Sequence, residues 1–227
     1  MNEEAALIRQ RMRTPRAAAI AGIIFSVLLI TSILLIRLSV PADPFEPGVW
    51  LKTSLHTVAL ALNMVPFAGI AFLWFIAVLR DRLGELEDRF FATVFLGSAL
   101  LFLAMLFVSA AVTSGFILAY SVQSKGLLDT ATFTFARAVS YGIMNIYAIK
   151  MAAVFMISLG TIWVRTRVMP RWLALLTYAL ALGLLLSIGS SLWVTLIFPA
   201  WVCAVSVYIL VLNPRSPSAS LQGGLEQ

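Results

Sequence analysis

Only one histidine and one cysteine occur among the 227 residues, and the ten acidic residues all lie outside the long apolar stretches. Each scarcity removes a class of chemistry. The single cysteine, Cys203, rules out an intrachain disulfide and any metal site built from paired cysteines, and its place in an apolar run reads as a small buried residue. The single histidine, His56, excludes a haem held between two histidines and a histidine-rich zinc site. No metal and no cofactor are therefore expected. With no carboxylate inside an apolar stretch, a proton-coupled transporter that works through a buried Asp or Glu is disfavoured. A glycine-rich phosphate loop and a nucleophile with an adjacent base are also lacking.

Charge of either sign is scarce as well. The chain is 11% charged and 61% hydrophobic, whereas an ordinary soluble domain carries roughly 25% charged and 45–50% apolar residues. A soluble fold could not hide so much apolar surface. Several uncharged stretches reach the roughly 20 residues that cross about 30 Å of hydrocarbon, so the chain reads as an all-α polytopic transmembrane bundle whose first partner is the lipid bilayer. The formal charge of +6 does not indicate nucleic acid, because the arginines fall in short segments between the apolar runs rather than on one face.

Those runs give six spans. The first, residues 17–36, ends at the proline- and acid-containing "RLSVPADPFEPGVWLK". A secretory signal peptide is the competing reading of this end, but the apolar stretch exceeds the usual core of about 7–15 residues and further spans follow. The second, 53–79, carries His56, Asn63 and Pro66 and closes at "RDRLGELEDR"; the third is 90–120 and the fourth 138–164. Residues 172–214 hold no charge at all. As one helix they would be about 64 Å long, twice what a membrane needs, so they must fold back. The "SIGSS" at 187–191 is the expected reversal, giving spans at 172–189 and 192–212. A short N-terminal segment, 1–16, a six-span domain, 17–212, and a tail, 213–227, whose Ser, Pro and Gly content predicts disorder, make up the chain.

Six spans put both termini on one side. Eleven arginines, among them Arg9, Arg16, Arg80, Arg165, Arg167 and Arg171, fall on that side; the opposite loops hold Lys52 and Lys125, with Arg37 and Arg137 near their boundary. The positive-inside rule then predicts cytoplasmic termini and an inner (plasma) membrane location. Small residues at four-residue spacing, Ala111 with Gly115 and Gly183 with Ser187 and Ser191, are candidate helix-contact faces.

Two segments carry a resemblance. The basic turn with proline that runs into a tryptophan, "RTRVMPRWLALL", and the first span, "TPRAAAIAGIIFSVLLI", resemble a family of bacterial six-span membrane proteins classed as a domain of unknown function. That resemblance implies a fold and a bacterial source, without an activity or catalytic residue. The turn also has a plain physical reading. Pro170 can start a span, Arg165, Arg167 and Arg171 anchor the cytoplasmic boundary or bind anionic lipid headgroups, and Trp163 and Trp172 suit the interface.

The sharpest feature is Lys150, in the middle of the fourth span with no acid available to pair with it. A charged lysine there costs about 2.5–3.5 kcal/mol on insertion scales, so it should face the bundle interior or a wet cavity, be neutral, or extend its stem to water. Helical spacing puts Tyr147 and Met151 near Lys150, while Arg137, Tyr141 and Asn145 form a separate stripe. Pro66 and Pro199 fall mid-span in spans two and six and are expected to kink them, freeing the Leu62 and Thr195 carbonyls for Lys150 to satisfy.

Two function classes fit these residues. In one, a small anionic or amphipathic ligand is bound or transported in a cavity lined by Lys150, Tyr147, Asn63 and His56. In the other, a non-catalytic membrane protein binds a partner protein or lipids, and Lys150 is an internal donor. An enzyme ranks third, because a lysine beside a tyrosine does not make an active site.

Overall fold

The helices follow the apolar runs, and their order alternates direction through the bundle. The computed structural model describes residues 2–40, 50–83, 89–122, 131–167, 169–187 and 193–212. Helix α1 spans Asn2–Ser39, α2 Trp50–Leu83 and α3 Arg89–Val122. A continuous helical span, Ala131–Thr166, consists of α4 (Ala131–Gly142), a π-helical segment (Ile143–Ala148) and α5 (Ile149–Thr166). Helix α6 is Arg171–Leu186, and a 3-10 turn, Val194–Leu196, leads into α7, Ile197–Leu212. Five of these helical units are long and apolar enough to cross a membrane; α6, with 16 residues, is the short one. Both the expected spans 172–189 and 192–212 are therefore present, the first trimmed at Leu186, and most of the expected reversal lies outside the described residues. The tail 213–227 also lies outside them, and α1 runs back as helix to Asn2, through most of the expected N-terminal segment.

Side-chain contacts fix the directions. Ring pairs and hydrogen bonds match Phe25 to Phe72 and Ser32 to Ala61 between α1 and α2, Phe116 to Phe133 and Ser109 to Ser140 between α3 and α4, and Thr161 to Tyr178 between α5 and α6. Thr177 accepts from the Trp201 indole N–H at 3.0 Å, and Trp172 meets Tyr208, so α6 and α7 are also antiparallel.

The half of the bundle nearer the start of α1 is solid. Phe25, Phe72, Phe95, Phe102, Phe155, Phe198 and Trp201 interlock there, with centroids 4.6 Å apart for Phe25–Phe72, 4.7 Å for Phe102–Phe198 and 4.9 Å for Phe95–Phe155. Rings in such tilted and edge-to-face pairs contribute about 0.5–1.5 kcal/mol each beyond the burial of their area. Because lipid gives helices no hydrophobic reason to associate, close packing of this kind is what holds them.

The tight helix contacts fall elsewhere than the small-residue spacing suggests. A side chain at Gly115 or Gly183 would meet nothing within 4 Å, so neither glycine permits a close approach. The approaches occur at Gly22, where α1 lies against Ser206 and Phe75, and at Gly69, which faces Phe107 and Leu103. Helix α2 continues unbroken across Pro66, whose side is exposed on the outer face. Pro199 is buried in the first turn of α7, where a missing N–H leaves no helical bond unmade.

Candidate functional site

Lys150 is the second residue after the π-helical segment, and its ammonium reaches the end of α6. It donates to the carbonyl of Leu185 and, at 3.1 Å, to that of Ser187, rather than to the Leu62 or Thr195 carbonyls. The reason lies in the length of α6. Sixteen residues make about 24 Å, short of the roughly 30 Å of hydrocarbon, and the helix ends with its last four carbonyls lacking helical partners. Inside lipid those groups must be satisfied by protein.

The chain supplies partners one by one. The Ser187 N–H donates to the Gly183 carbonyl at 3.0 Å, the Ser187 hydroxyl to that of Leu184 at 2.8 Å, and Lys150 takes those of Leu185 and Ser187. A cation at this end also matches the negative pole of the helix dipole. Lys150 is thus the cap of an interrupted helix.

The other residues expected beside it do not gather there. Tyr147 is 61% exposed on the outer face of the π-helical segment, and His56 and Asn63 are exposed on α2. Neither these three residues nor Lys150 lines the cavity between Arg37 and Asn145. Arg165, Arg167 and Arg171 are exposed together around the α5–α6 turn, where the Arg165 guanidinium lies 4.4 Å from the Phe91 ring centroid and Arg167 ends α5 in a left-handed conformation, φ 54°.

The cavity, about 170 Å³, occupies the opposite half of the bundle from the aromatic core. Its walls come from the end of α1, the first half of α2, the second half of α3, α4 with the π-helical segment, and Thr195. Arg137, Tyr141 and Asn145, the second polar stripe of the fourth span, all line it. Opposite them stands Arg37, half-buried, which donates to the Asn145 side-chain oxygen at 3.1 Å. Asn145 in turn donates to the Tyr141 carbonyl at 2.9 Å. That bond fixes which way the amide points. A π-helical segment shifts the backbone register by one residue, and the Asn145 side chain serves a carbonyl at its start.

Hydroxyls form the third wall. Ser109, Thr113 and Ser140 bond one another, with Thr113 Oγ1 and Ser140 Oγ 2.7 Å apart and the Ser109 and Ser140 oxygens 3.0 Å apart, and all three line the cavity. Ser32 caps the Ala61 carbonyl at 2.7 Å from the α1 side. Arg137 lies over the Phe133 ring at 5.6 Å. No Asp or Glu is among the described lining residues, so the fixed charges on the described wall are guanidinium groups. Helical spacing separates the 137, 141, 145 stripe from Lys150, and it is this stripe that lines the cavity. Arg37 carried no signal of its own, since its place beside the end of the first span reads as a boundary charge. No group of three or more potential metal ligands occurs among the described residues.

Apolar helices of this length, with lipid-facing outer surfaces and internal hydrogen-bonding of interrupted backbone, define an integral membrane protein of the polytopic helical class. Comparison of the chain with known protein families, with curated proteins and with solved structures finds no match.

Proposed function

We propose that this membrane protein binds a small anionic ligand in the cavity between Arg37 and Asn145. The observation that carries this reading is the guanidinium of Arg37, half-buried in a cavity with no carboxylate among its described lining residues and donating to a neutral amide oxygen. A buried charge is normally retained opposite a counter-charge. Among the described residues this neutral acceptor does not offset the arginine's charge, and its planar fork suits a carboxylate or phosphate. The position is thus moved from Lys150, whose ammonium is occupied by two carbonyls.

The test is thermal unfolding of the purified protein in zwitterionic-lipid nanodiscs with a panel of anions, from acetate and inorganic phosphate to decanoate. At 100 times the dissociation constant a bound ligand stabilises by about 2.7 kcal/mol. Wild type should gain several degrees with at least one of them, and Arg37→Gln should gain none. Equal gains in both proteins, or no gain in either, would defeat the reading.

Both termini are proposed to lie in the cytoplasm, supported by the excess of arginine on their side. Cysteines placed at Gly84 and Gly126 in a Cys203→Ser background should be labelled by an impermeant reagent from outside only at Gly126. Outside labelling at Gly84 would reverse the orientation, and the cavity with it.

A further inference from the structure

Two asparagines lie within the spans, and the fold treats them in opposite ways. Asn145 is buried in the cavity wall and bonded twice. Asn63 stands exposed on α2, and its amide has no hydrogen-bond partner among the described residues. Nor can it reach water. The charges that flank it on α2 are Lys52 and Arg80, about 42 Å apart along the helix, so a hydrocarbon layer of about 30 Å centred between them puts Asn63 about 5 Å from the midplane. A layer shifted until it meets either charge still covers it. A lysine can extend to the interface from within a span, but the asparagine side chain is too short. Pro66, exposed one turn on, leaves a second polar group in want of a partner, because it has no N–H to give to the Leu62 carbonyl. Unpaired groups of this kind are costly where the surroundings are hydrocarbon.

Asn63 also belongs to a row. His56, Leu60, Phe67, Ile70 and Trp74 are exposed with it at alternating steps of four and three residues, the spacing at which one helix keeps a stripe against a neighbour crossing at about 20°. From His56 to Trp74 the row is about 27 Å long, close to the full depth of the hydrocarbon. Val58, Leu62 and Val65, which line the anion cavity, are on the other side of α2.

We infer that this row is the contact face of a homodimer in which two copies of the chain meet at Asn63. An amide is both donor and acceptor, so two of them complete each other, and each keeps a second N–H, a donor of the kind the Leu62 carbonyl lacks. A second copy inserted in the same direction brings its own Asn63 to the same depth by necessity. The two-fold axis relating such copies runs along the membrane normal and sets α2 against α2 in parallel. Interhelical hydrogen bonds of this kind join helices that lipid gives no hydrophobic reason to associate. One polar residue in an apolar seam also fixes register, since sliding by a turn sets it against an apolar side chain.

The test is energy transfer between dye-labelled copies in phosphatidylcholine vesicles as the protein is diluted with lipid, for wild type, Asn63→Leu, Asn63→Gln and Arg37→Gln. Wild type should dissociate at a defined protein density, and Asn63→Leu should need a density roughly fivefold or more higher to associate, with Asn63→Gln between the two. Asn63→Leu should melt in detergent as wild type does; if it lacks a cooperative melt, Asn63→Ala takes its place. In a Cys203→Ser background, Phe67→Cys and Ile70→Cys should form an intermolecular disulfide under oxidant, and Leu182→Cys and Val207→Cys, exposed on α6 and α7, should not. Monomers at every density, association unchanged by Asn63→Leu, or equal cross-linking from all four positions overturns the dimer and leaves Asn63 to lipid or to a different protein. Arg37→Gln should pair as wild type does, so this inference and the anion reading fail separately.

Discussion

Gly22→Ala is expected to be among the most destabilising single-methyl additions in the protein. The new Cβ would fall on the Ser206 hydroxyl and 2.9 Å from the Phe75 ring, in a place where Ser206 and Phe75 are completely buried. Neither neighbour can step aside into water or lipid. Adding a methyl group to a close-packed core costs about 1–3 kcal/mol, or several degrees in melting temperature for a chain of this size. The Ser206 hydroxyl has no hydrogen-bond partner among the described residues, so its loss removes an unsatisfied group as well as the obstruction. Ser206→Gly combined with Gly22→Ala should then recover most of the loss, a coupling read from a double-mutant cycle on thermal unfolding in detergent. Additive effects of the two substitutions would mean that α1 and α7 do not meet at this point.

Lys150→Met should be the second large effect. The substitution keeps the side-chain length and removes both donated hydrogen bonds, orphaning the Leu185 and Ser187 carbonyls. An unsatisfied buried carbonyl costs about 1–3 kcal/mol, so the loss is about 2 kcal/mol or more. Removing an ammonium from lipid offsets this only in part, because the same lysine must also be accommodated when the helices are inserted but not yet packed. Lys150→Arg retains donors and should keep a part of the stability. A methionine variant as stable as wild type would show that α6 does not depend on this cap. Neither variant touches the cavity, so the anion response assigned to Arg37 should persist in both.

Much of the architecture was legible because the bilayer imposes it. Apolar runs of span length, and a run of double length at 172–214 that had to fold back, follow from hydrocarbon thickness alone. The residues that give the interior its character were not readable in the same way. Whether Arg37 ends a span or turns inward depends on what α4 brings opposite it, and Asn145 reaches it from a residue 108 positions away. The π-helical segment has no proline or glycine pair to announce it; Asn145 and Tyr147 are its polar side chains. Lys150 was conspicuous by charge, yet its task was set by the length of a helix that follows it, and Ser109, Thr113 and Ser140 look like any hydroxyls in a span until their mutual bonds are seen. Gly115 and Gly183 have the small-residue spacing yet Gly22 and Gly69 make the close approaches, because spacing along one helix says nothing about which face a second helix covers.

The brevity of α6 also bears on how the protein is made. A helix of about 24 Å is shorter than the roughly 30 Å of hydrocarbon, so alone in the bilayer it would expose its last carbonyls to lipid. The group that covers the Leu185 carbonyl, and that of Ser187 just beyond the helix, lies earlier in the chain, on α5, and so leaves the ribosome before α6. Chain order and structural need coincide. The α6–α7 hairpin is therefore a late element whose insertion is completed against an existing partner, and a reversed order of these two segments in a permuted chain would have to insert the unprotected helix end first.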